Sequence, residues 1–119
     1  MKESIVGKRS YAFALEIIKL YRHLINEQKE HVLSKQLLKA GTSIGANVNE
    51  ATCSESKRDF VHKMNIAQKE ARETIYWLGL LKDSHYINEN QFEPLNNEAL
   101  VITNMISKII ITTKAKYFQ

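Results

Sequence analysis

A chain of 119 residues, 44% apolar and 25% charged, has the size and balance of one folded domain over residues 1–119. Its lone cysteine, Cys53, excludes an intrachain disulfide and makes a reducing cytoplasm the expected compartment. No apolar run approaches the ~20 residues of a membrane span, and a net charge of +4 permits a polyanionic partner without requiring one.

Four segments carry helical periodicity. The first covers residues 8–28, with Ala14, Ile17, Ile18, Tyr21, Leu24 and Ile25 at three- and four-residue steps. Residues 26–31 read as a polar turn. The second covers residues 32–54 and carries Leu33, Leu37, Ala40, Ile44, Val48 and Ala51. It also holds Gly41 and Gly45, one turn apart on one face. Glycine is costly inside a helix, so the pair needs a packing reason. Close approach of a neighbouring helix supplies one; a ligand groove floored by backbone is the sharper reading.

The third segment covers residues 57–84, with Ser54 or Ser56 as its cap and Asp59 in its first turn. Phe60, Met64, Ala67, Ala71, Thr74, Leu78 and Leu81 alternate steps of four and three, the spacing of helices packed at a shallow angle. The fourth covers residues 90–117, with Phe92, Leu95, Ala99, Ile102, Ile106, Ile109 and Thr113 as its stripe. Asn88 to Gln91 resembles a capping box. Pro94 then requires either a start nearer Gln91 or a kinked first turn. Short turns make consecutive helices antiparallel neighbours. The expected fold is all-α, an antiparallel up-and-down four-helix bundle.

Chemistry-bearing patterns are sparse. His23, His31, His62 and His85 are far apart, and no metal motif occurs. Arg58 and His62 have three residues between them, one short of the spacing in minimal helical ribonucleases. No catalytic residue, metal or cofactor is expected, and the chain does not read as an enzyme. Ser43, Asn47 and Glu50 follow helical steps beside the glycine edge. They are expected to brace the second helix against the third, through His62, Lys69, Glu70 or Glu73, or else to line a pocket.

Apolar residues exceed what one core needs. Phe13 and Leu20, then Ile66, Trp77 and Leu80, then Val101, Met105 and Ile111 lie outside the expected stripes. Exposed apolar patches mark interfaces, so a homo-oligomer is expected. Charge is polarised along the bundle. One end gathers Lys2, Lys8, Arg9, Lys57, Arg58, Lys114 and Lys116 against Glu3, Glu50, Glu55 and Asp59. The other holds Arg22, Lys29, Lys35 and Lys82 against Glu27, Glu30, Asp83, Glu89 and Glu93. The basic end is the expected contact for RNA or DNA, with Tyr11, Tyr117 and Phe118 near it as bases' stacking partners.

Residues 34–81 carry a family resemblance. Lys39-Ala40, Ser43-Ile44 and Asn47-Val48-Asn49-Glu50-Ala51 match a second-helix pattern, and Ser56 to Phe60, Ile66 to Thr74 and Tyr76-Trp77-Leu78 match a third-helix pattern. The chain resembles four-helix-bundle proteins of the 23S rRNA intervening-sequence family, also called S23 ribosomal proteins. That family is related to the accessory variability protein of diversity-generating retroelements. The resemblance implies a four-helix bundle, makes a pentamer the first choice of assembly, and favours nucleic-acid association. Gly45 stands where many members have proline, and the chain is less basic than the retroelement protein. A protein–protein scaffold without nucleic-acid binding is the alternative function.

Overall fold

The computed structural model describes residues 4–118, which form four helices: α1 (Ile5–Asn26), α2 (Leu33–Thr52), α3 (Lys57–Asp83) and α4 (Glu89–Tyr117). Each packs against its neighbours in chain order, and α4 returns to α1, which closes an up-and-down bundle. The α1–α4 seam is the loosest of the four.

The helix starts are written in polar side chains. Ser4 Oγ accepts from the Gly7 amide at 2.9 Å, and Ser56 Oγ accepts from Asp59 at 3.0 Å. Asn88 and Gln91 exchange side-chain and backbone bonds at 2.9 Å each, a full capping box. Such caps satisfy donors that have no partner inside a helix. Helix α4 therefore starts at Glu89, and Pro94 sits inside it. Pro94 has no N–H to give the Asn90 carbonyl one turn back.

α2 begins differently. Its N-cap position, Val32, makes no side-chain bond. Glu30 does the work from two residues upstream: Oε1 accepts from Leu33 at 2.9 Å and Val32 at 3.2 Å, and Oε2 accepts from Ser34 at 2.7 Å. Ser34 Oγ returns a bond to the Glu30 carbonyl at 2.7 Å. Lys29, at φ 54°, turns the chain so that Glu30 faces inward. Burial alone would raise the Glu30 carboxyl's pKa, but the three amide donors outweigh it and hold it below the ordinary carboxylate range.

The core stripes of α2 and α3 hold as read, with Leu33 and Phe60 only half-buried. In α1 the buried ridge is Val6, Ser10, Phe13, Ile17, Leu20 and Leu24. Ala14, Ile18, Tyr21 and Ile25 lie on its flank, half-buried. Phe13 and Leu20 are thus core residues, 2% and 7% exposed, and not part of an outer face. In α4, Ile110 and not Ile109 is fully inside. Buried Ser10 and Thr74 donate to Gly7 and Glu70 carbonyls of their own helices, so no polar cost arises.

The two glycines of α2 bring α1 close. A Cβ on Gly41 would stand 2.8 Å from Ile17 Cγ1, and one on Gly45 would stand 3.3 Å from Ser10 Oγ. Close helix approach is therefore the reason for the pair.

Candidate functional site

The clearest concentration of charge lies where α3 begins and α4 ends. Lys57, Arg58, Lys114 and Lys116 are all exposed there. Lys57 Nζ stands 4.8 Å from the centroid of the Tyr117 ring, and Lys116 Nζ stands 5.3 Å from it. The ring thus ties the two helices together through cation–π attraction. Glu55 and Asp59 share this end. The cations also suit the partial negative charge at the close of α4. Lys2 and Glu3 fall outside the described residues.

Arg9 does not join this group. Arg9 reaches Glu98, in the first half of α4, with Nε and Nη2 donating at 2.9 and 2.6 Å. The hydrogen bond and charge of Glu98 raise the Arg9 pKa further. Beyond this contact α1 runs back only to Ile5, whereas α4 continues to Tyr117. The last turns of α4 therefore pass the start of α1, and the cluster stands on α3 and α4. Sequence periodicity carried no signal for Glu98, 89 residues from its partner.

The polar set on α2 divides. Ser43 Oγ donates to the Lys39 carbonyl at 2.5 Å, and Asn47 Nδ2 donates to the Ser43 carbonyl at 2.8 Å. Both satisfy carbonyls of their own helix, and neither makes a hydrogen bond to α3 among the described residues. Glu50 does reach α3, but through Lys63 at 3.1 Å and not through His62, Lys69, Glu70 or Glu73. A side-chain hydrogen bond also joins Gln68 of α3 to Ser107 of α4.

Of the expected interface residues, Leu80, Val101 and Ile111 are exposed, Ile111 by 67%. Ile66, Trp77 and Met105 are half-buried. Exposed Ile5, Tyr11 and Leu15 belong to another surface, where Tyr11 and Leu15 line a groove of about 840 Å³ between α1 and α2, with Gly45 and Ala46 opposite. Tyr11 faces this groove. Among the described residues, no three His, Cys, Asp or Glu side chains are placed to hold a metal ion. No helix among them is long and apolar enough to cross a membrane.

A family model described as 23S rRNA-intervening sequence protein matches residues 2–108. A crystal structure of a protein of unknown function from the S23 ribosomal protein family of Bacteroides thetaiotaomicron is 50% identical, with a TM-score of 0.88. The match covers 89% of this chain and 98% of that one. No curated protein matches.

Proposed function

The chain belongs to the 23S rRNA-intervening sequence protein family, and from that premise we propose that it is a non-enzymatic, cytoplasmic oligomer that associates with nucleic acid, RNA first, through its basic end. The observation that carries this reading is the gathering of Lys57, Arg58, Lys114 and Lys116 on one end of the α3–α4 pair. Phosphates bind such a cluster through sequence-independent, salt-sensitive contacts. A pentamer is the proposed assembly; a parallel ring would bring five copies of that end onto one face and multiply a modest charge. Leu80, Val101 and Ile111, with half-buried Ile66, Trp77 and Met105, are its proposed contacts.

The test is a variant with Lys57, Arg58, Lys114 and Lys116 changed to Gln, titrated with structured RNA and with DNA at two salt concentrations. Affinity should fall and the salt dependence should flatten. Unchanged affinity and slope in the variant would place the site elsewhere. A parent protein that binds neither would favour the second reading, a protein–protein scaffold. The observation behind that reading is the apolar groove between α1 and α2, lined by Tyr11, Leu15, Ile18 and Val48.

A further inference from the structure

Tyr117 is 46% exposed and stands at the centre of the basic end, where an aromatic ring would ordinarily be read as a platform for an unpaired base. Its environment argues otherwise. Lys57 Nζ and Lys116 Nζ both lie over the ring, at 4.8 and 5.3 Å from the centroid. Ammonium groups are drawn to the negative faces of a ring, and a stacking base would compete with them for those faces. Resting on the reading of this end as a nucleic-acid contact, we infer that it grips the phosphodiester backbone of a double helix and does not take unpaired bases. Tyr117 is a seat for two cations.

The seat has a physical use. Lysine side chains lose much rotamer freedom when they are fixed on a ligand. Here one comes from the first residue of α3 and the other from the last turn of α4, and one ring positions both before any ligand arrives. Point charges so placed are indifferent to base identity and respond to charge density. A duplex carries a phosphate charge every ~1.7 Å along its axis, denser than a single strand, and releases more counterions per contact. Glu55 and Asp59 oppose the four cations but leave them in excess. Phe118, 43% exposed beyond the close of α4, adds aromatic surface close to Tyr117 in the chain.

The experiment uses the full chain and three probes: an RNA duplex of about 16 base pairs, one of its strands alone, and that strand made abasic. The parent should bind the duplex best and the two single strands within twofold of each other. Tyr117→Leu should weaken all three by the same factor, about threefold for the loss of two exposed cation–π contacts. Tyr117→Phe, which keeps the ring, should bind like the parent. An ordinary strand bound tenfold better than its abasic copy would overturn the inference. So would a Tyr117→Leu loss confined to the ordinary strand, or a Tyr117→Phe variant as weak as Tyr117→Leu. Any of these leaves nucleic-acid association standing. A parent that binds none of the probes overturns that broader reading, and this inference with it.

Discussion

Ile17 of α1 occupies the space that a side chain at Gly41 of α2 would need. An added Cβ would approach Ile17 Cγ1 to 2.8 Å and Cγ2 to 2.9 Å, in a core where both residues are buried. Gly41→Ala should therefore destabilise the bundle by about 1–2 kcal/mol, overpacking outweighing alanine's helix preference. Gly79, where nothing lies within 4 Å, is the control: Gly79→Ala should stabilise by up to about 1 kcal/mol. Urea denaturation measures both. The double variant Ile17→Ala with Gly41→Ala should cost less than the sum of the two single losses, since the truncated side chain no longer meets the new Cβ. Equal effects at the two glycines would remove the steric account.

Glu30 makes the start of α2 sensitive to acid. Its folded-state pKa lies below the ordinary value of 4.5, so the cap's contribution is fully present above that value. It is lost as pH falls from there through the folded-state value. Glu30→Gln should cost about 1–3 kcal/mol near neutral pH, since the anionic acceptor of three amides is gone. The difference from the parent should shrink below pH 4.5. Thermal melts across pH 3 to 7 test this, and a constant difference would rule it out.

Arg9 and Lys57 look equivalent as sequence positions near helix starts, yet they should behave differently toward RNA. Arg9 is committed to Glu98, whereas Lys57 rests on a half-exposed ring. Arg9→Gln should change RNA affinity less than about twofold, and Lys57→Gln should reduce it and lower the salt slope by roughly one. Filter binding at two ionic strengths decides; a larger effect at Arg9 would move the contact surface toward α1.

The outer apolar residues of α4 give a test of assembly. Val101→Lys with Ile111→Lys should reduce the mass seen by light scattering at micromolar concentration, because charge would enter a contact between copies. Helix content should be unchanged, as neither side chain is in the core. A parent already monomeric at that concentration would remove the oligomer proposal.

The bundle was legible in the sequence because its signals are local. Periods of three and four gave four helices, and Ser56 and Asn88 marked two starts as read. The start of α1 lay three residues earlier than expected, at a serine cap ahead of Gly7. Rotation about a helix axis was harder to read. In α1, apolar residues at adjacent positions offered two possible faces, and only the glycine-lined surface of α2 decides that Phe13 and Leu20 turn inward. The site was partly legible. Composition put lysines near both chain ends of the bundle, but not the Arg9–Glu98 pair, which depends on how far α4 outruns α1. Ser43 and Asn47 misled because short polar side chains satisfy their own backbone as readily as a neighbour.

The loose seam between α1 and α4 has a kinetic meaning. Its one ion pair, among the described residues, spans 89 positions of chain, so joining its ends closes a loop of most of the chain. The helical hairpins α1–α2, α2–α3 and α3–α4 need no such closure and can form from nearby residues. Contacts that form only after the rate-limiting barrier leave the folding rate unchanged, and removing them shows up in how fast the native state opens. Stopped-flow traces of Glu98→Gln should show refolding at the parent's rate and faster unfolding.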